Sequence, residues 1–141
     1  MKKIAVVMFV FAASIFTKVM AQDHPAYLHA LSDLRAARWM IEHKTGDWKA
    51  GEDEGNAIRK IDDAINEIKK ASIDDHKDMN DHPEDKINEH KGRLTKALEY
   101  LRKARKDIEK EEDNQGVKGL RERAYVHIDE AIRLTDKAAK S

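Results

Sequence analysis

The chain contains itself twice. Ala30-Leu31-Ser32-Asp33-Leu34-Arg35-Ala36-Ala37-Arg38, followed by Ile41-Glu42, recurs as Ala97-Leu98-Glu99-Tyr100-Leu101-Arg102-Lys103-Ala104-Arg105, followed by Ile108-Glu109. The same offset of 67 maps Ala57, Ile61-Asp62 and Ala64-Ile65 onto Ala124, Ile128-Asp129 and Ala131-Ile132. One offset holds across two segments and the gap between them, so the repeating unit is a pair of elements with a connection of fixed length. Two copies make four elements.

Those elements read as helices. Proline occurs only at Pro25 and Pro83, and glycine clusters between stretches rich in Ala, Leu, Lys, Arg and Glu, the strong helix formers. The pattern predicts helices at about 25–44, 52–73, 83–111 and 117–139. In heptad register, Tyr27, Leu34, Ile41, Ile61, Ile68, Ile87, Leu94, Leu101, Ile108 and Ile128 fall at a. Alanines 30, 37, 57, 64, 71, 97, 104, 124, 131 and 138 fall at d. Large residues at a against alanine at d let helix axes approach closely, and Leu31, Ile58, Ile65, Leu98 and Ile132 at e widen the stripe to a bundle core. The expected fold is all-α, an up-down-up-down four-helix bundle built from two duplicated helical hairpins, 25–73 and 83–140, joined by a linker at 74–82.

Ahead of the bundle, Met1-Lys2-Lys3 is a basic start, Ile4 to Phe16 an apolar run of 13 residues, and Val19-Met20-Ala21 a small-residue approach to Gln22. This is the layout of a secretory signal peptide over residues 1–21, cleaved after Ala21. The apolar run is short for a bilayer span, which takes about 20 residues. The expectation is a periplasmic or secreted mature domain over 22–141 with no stable membrane insertion. Loss of Lys2, Lys3 and Lys18 leaves 24 basic against 27 acidic residues. With no basic excess and interspersed signs, nucleic acid is not an expected partner. The absence of cysteine excludes disulfides, thiolate metal sites and thiol nucleophiles.

In an up-down-up-down course, the start of the first helix, the connection between the second and third, and the end of the fourth share one end of the bundle. His24, His29, His76, His82 and His90 map there. The linker and its flanks, Asp74 to Asp85, add Met79 and several carboxylates, and imidazole, carboxylate and thioether together suit a borderline divalent ion. Asp23-His24-Pro25 and Asp81-His82-Pro83 are the same tripeptide, and proline at the first helical position sets the preceding histidine at the cap. His90 takes a d position and is expected to point into the seam. The candidate metal ligands are His24, His29, His76, His82 and His90, supported by Asp78, Asp81 and Met79.

Other chemistries lack their residues. No histidine follows an acidic residue by three, as di-iron bundles require. There is no Gly-x-Ser-x-Gly, P-loop or His-Glu-x-x-His, so no enzymatic activity is expected.

Ala30 to Ser72 and Ala97 to Ser141, especially His127-Ile128-Asp129-Glu130-Ala131-Ile132, resemble the small periplasmic metal-binding proteins of bacteria, exported helical bundles of alanine-rich repeats carrying histidines. That resemblance implies copper or another divalent metal, zinc or nickel among them, held for buffering or sequestration, and His127 is the residue in a matching local motif. The competing expectation is a helical interaction or chaperone-like protein whose charged faces bind another envelope protein, with incidental histidines.

Overall fold

A computed structural model describes residues 24–43, 50–71, 73–110 and 119–141; the expected signal peptide lies outside the described residues. The helices are α1 (Pro25–Glu42), α2 (Glu52–Lys70), α3 (His90–Glu109) and α4 (Leu120–Lys140). They form the all-α four-helix bundle of two hairpins that the duplication demands. Pro25 opens α1 after His24. Glu52, Asp53 and Glu54 sit in the first turn of α2 and Lys69 and Lys70 in its last, each sign matched to its end of the helix dipole.

The heptad frame accounts for the core. Within the helices, every predicted a residue is fully buried, and so are Ala30, Ala37, Ala57, Ala64, Ala97, Ala104, Ala124 and Ala131 at d. Burial of this stripe is the main source of stability for a bundle without cross-links.

Each hairpin runs up and down as expected. Arg38 Nε reaches Asp62 at 2.7 Å between α1 and α2, and Arg105 Nε reaches Asp129 at 2.6 Å between α3 and α4. These two pairs are one pair related by the offset of 67. The hairpins then dock antiparallel to each other. Lys103 meets Asp33 while Arg93 reaches the Met40 carbonyl across α1 and α3. Lys137 meets Asp53 and Arg123 meets Glu67 across α2 and α4. The packed pairs are α1·α2, α3·α4, α1·α3 and α2·α4, so α2 and α3 lie diagonally opposite and run in the same direction. The course is up-down-down-up. These registers bring Leu34 level with Leu101 and Ile61 level with Ile128, about a pseudo-two-fold axis perpendicular to the helices.

This arrangement requires the connection to climb the length of the bundle. Residues 73–89 do so as an irregular strap, longer than the linker expected from sequence. Pro83 does not open α3, which starts at His90. The reason is local: Asp85 turns back to cap the Ile87 N–H at 3.1 Å and to meet Arg93 and Trp39, partners that a helix starting at 83 would forfeit.

Candidate functional site

The strap crosses the outside of α1, the side away from Leu34 and Ile41. Two arginines clamp it. Arg35, 1% exposed, holds Asp75 with Nη1 to Oδ1 at 3.0 Å and Nη2 to Oδ2 at 2.5 Å. Arg93, 3% exposed, bonds the Asp85 carboxylate, the Ile87 carbonyl at 2.8 Å, and the Met40 and Trp39 carbonyls at 3.2 and 3.3 Å. Burial pushes both carboxyls up, but the hydrogen bonds and charge of Arg35, with the Lys77 N–H, hold Asp75 below the usual carboxylate range. Arg93, the Ile87 N–H and the Trp39 indole do the same for Asp85.

Between the clamps, Trp39 is sandwiched. His43 stacks on it at 3.3 Å between ring centroids and His82 at 3.6 Å; two rings so close to one centroid lie on opposite faces. The indole N–H donates to Asp85 Oδ2 at 3.1 Å. His82 donates from Nδ1 to the Pro83 carbonyl at 2.7 Å, which leaves Nε2 the acceptor in its neutral form. Burial, and then the neighbouring His82, Arg38 and Arg93, depress the pKa of His43 against the pull of Glu42. Ile73 enters the core, Met79 packs against it, and Gly92 lets Ile87 sit where a Cβ would meet its Cγ2 at 3.1 Å.

The up-down-down-up course disperses the expected metal ligands. His24 and His29 stand at the start of α1, whereas His90 stands at the opposite end. His24 packs edge-on against Tyr27 at 6.0 Å, His29 is exposed, and His82 belongs to the tryptophan sandwich. His76 projects into solvent from a left-handed backbone position, φ 56°. Asp78 caps the Asn80 N–H at 2.8 Å, and Asp81 lies 3.6 Å from Lys77. His90, half-buried rather than deep in the seam, has Nε2 2.8 Å from buried Glu54, beside a shallow cavity of about 280 Å³ that Asp53 also lines. His127 Nδ1 stands 3.8 Å from Asp63 across α2 and α4. Among the described residues, no group of three or more His, Asp or Glu is placed to hold a metal ion.

Sequence reasoning missed Arg35, Trp39, Arg93, Asp85 and Glu54. For Arg35 and Trp39 the signal was an arginine and a tryptophan at heptad positions b and f, which face away from a bundle core; in the structure the strap covers both.

The outer face of α3 is the duplicate of the face the strap covers. There Arg102, Lys103, Lys106 and Lys110 replace Arg35, Ala36, Trp39 and His43, and all four are exposed. Lys103 and Lys110 reach sideways to Asp33 at 3.2 Å and Asp107 at 3.4 Å. Arg102 and Lys106, one turn apart, have no ion pair among the described residues. Glu99, on the same face, is engaged by Lys96 at 2.7 Å. The face is a stripe of positive charge along one helix.

Comparison with protein-family models, curated proteins and solved structures finds no match. Among the described residues, no helix is long and apolar enough to cross a membrane.

Proposed function

We propose that the protein is an exported, non-enzymatic interaction protein that binds another envelope protein through the outer face of α3. The observation that carries this reading is a pair of exposed cations, Arg102 and Lys106, with no ion pair among the described residues, flanked by the exposed Lys103 and Lys110 on the same helix face. Exposed lysines and arginines are already hydrated and exchange water for a partner's carboxylates at little cost in folding stability, which favours association rate and specificity. The histidines support the reading through what they do: His43 and His82 stack on Trp39, and His90 and His127 approach Glu54 and Asp63. The amino-terminal leader supports export to the periplasm.

Photocrosslinking in the envelope tests it. A photoreactive residue at Lys106 is expected to yield a discrete cross-linked product with another protein, while the same group at Arg59, exposed on α2, does not. Equal yields from both positions, or none from either, would overturn the reading.

Divalent metal binding, with copper favoured ahead of zinc and nickel, is the second reading. It is supported by the 2.8 Å approach of His90 to Glu54, two donors of the type such ions accept. Calorimetric titration with Cu(II) and Zn(II) decides it. Micromolar binding lost in His90→Ala but kept in the His76→Ala, His82→Ala double variant places the ion there; equal weak heats from all three proteins rule it out.

A further inference from the structure

We infer that the outer face of α3 takes an extended acidic segment of another chain, laid along the helix as residues 73–89 are laid along α1. This rests on the interaction reading above and names the partner's chemistry. The duplication supplies the template. The pseudo-two-fold axis relates α1 to α3, and on α1 the outer face is occupied by an irregular, carboxylate-rich strap anchored where Asp75 meets Arg35. Arg102 is the counterpart of Arg35 at the offset of 67. No strap covers it among the described residues, and its side chain is exposed.

The substitutions between the two copies state which occupant fits. On α1 the face is built for one fixed companion, with Ala36 buried and Trp39 sandwiched. On α3 the same positions are Lys103 and Lys106, and His43 gives way to Lys110. Apolar and aromatic contact has been exchanged for charge, so the occupant is held chiefly by its carboxylates.

Spacing adds a pattern. Arg102, Lys106 and Lys110 follow each other at four-residue steps, about 6 Å of helix rise. Alternate residues of an extended chain are spaced by about 6.6 Å. A segment with Asp or Glu at every second position therefore meets successive cations of the stripe, its intervening side chains pointing away. Among the described residues, nearby carboxylates do not block this path: Asp33 and Asp107 lie on the flank beside α1, and Glu109 is turned to Arg105 on the flank beside α4. Glu99 marks the stripe's upper limit.

Heteronuclear NMR on the chain from Gln22 onward, which includes every described residue, tests the inference. The probe is a nine-residue peptide of alternating Glu and Thr. Shift changes confined to residues 99–110 are expected, with at least tenfold weaker binding to the Arg102→Glu, Lys106→Glu variant, and none from the Gln-for-Glu peptide. Both substituted side chains are exposed and have no ion pair among the described residues, so the variant's thermal unfolding is expected to match the parent's. Absence of shifts on α3, shifts unaltered by the variant, or equal binding of polyphosphate of matched charge would overturn the proposal. If Lys106 cross-links a partner while the peptide leaves α3 unshifted, the acidic occupant fails and the interaction reading stands; if neither occurs, both fail.

Discussion

Arg35 and Asp75 meet face to face across the outside of α1, two parallel hydrogen bonds of 3.0 and 2.5 Å joining a helix to the strap. Arg35 is 1% exposed, so its charge has exchanged water for the Asp75 carboxylate, with the Ser32 hydroxyl at 3.3 Å and the half-exposed Asp81 carboxylate farther off at 4.0 Å. The two partners are not equivalent. Asp75 rides on the strap and regains water by moving away, whereas Arg35 is fixed between the strap and the bundle. Asp75→Ala therefore takes both carboxylate hydrogen bonds from a buried cation, leaving it only the more distant Asp81, and is expected to cost about 3 kcal/mol. Arg35→Met, which fills the space without a charge, is expected to cost less than about half of that. Urea unfolding followed by Trp39 fluorescence in a Trp48→Phe background measures both, and a reversed order would refute this account of the clamp.

Asp33 carries the opposite pH signature. Burial raises its pKa to about 6; Lys103 pulls it back and the neighbouring Asp107 carboxyl raises it again. A carboxyl raised in the folded state costs nothing below its unfolded pKa of about 3.9, progressively destabilises as pH climbs toward 6, and exerts its full penalty above that. Asp33→Asn is accordingly expected to stabilise the protein by about 1–3 kcal/mol at pH 7.5 and by little at pH 4. Asp75 and Asp85, held low, work the other way, and their contribution is lost as pH falls below the ordinary carboxylate range. Stability is thus expected to peak between about pH 4 and 6. Denaturant melts of the parent and Asp33→Asn from pH 3.5 to 8 check the sign, and a constant difference between them would remove Asp33 as its source.

The helices and their faces were legible because burial imposes a period on the sequence, and Tyr27, Leu34 and Ile41 or Leu94, Leu101 and Ile108 display it directly. Periodicity fixes which side of a helix is buried, not against which helix. The antiparallel docking of α1 on α3 depends on long-range pairs such as Asp33 with Lys103, 70 residues apart, for which no local pattern exists. The candidate histidine cluster failed to assemble for this reason: its convergence depended on the direction of α3. The strap was hidden twice over. Its carboxylates look like a solvated acidic linker until Arg35 and Arg93 are known to face it, and Asp81-His82-Pro83 looks like a helix start until Asp85 is seen to serve Arg93. The departures from the repeat were the readable clue, since Trp39 aligns with Lys106 and Ala36 with Lys103, and only a covered face needs the first member of each pair.

His76 adopts φ 56° with its ring in solvent, and its N–H is capped by Asp74 Oδ1 at 2.9 Å. The left-handed region is strained for a residue with a Cβ and open to glycine. His76→Gly keeps the backbone hydrogen bond and relieves the strain, at the expense of a more flexible unfolded chain. The expected net effect is stabilisation by about 0.5 kcal/mol, read as a rise in urea midpoint at unchanged slope. Destabilisation would mean that the imidazole has a contact of its own to lose.

The duplication also provides a controlled comparison of one ion pair in two settings. Arg38 bonds Asp62 at 2.7 Å and Glu42 in the next turn; Arg105 bonds Asp129 at 2.6 Å and Glu109 in the next turn. Hydrogen-bond length and the acid in the next turn are matched, but exposure is not: 17% and 33% for the first pair, 36% and 50% for the second; Arg105 also lies over the Tyr125 ring at 4.8 Å, where the first copy has Ile58. Water screens the second pair more. Double-mutant cycles with alanine are therefore expected to give a coupling of about 1 kcal/mol for Arg38 with Asp62 and less than about half of that for Arg105 with Asp129. Raising salt from 0.1 to 1 M is expected to shrink the second coupling proportionally more, since exposed charges are the ones that mobile ions reach. Equal couplings would mean that hydrogen-bond geometry, and not burial, sets the strength of the repeated pair.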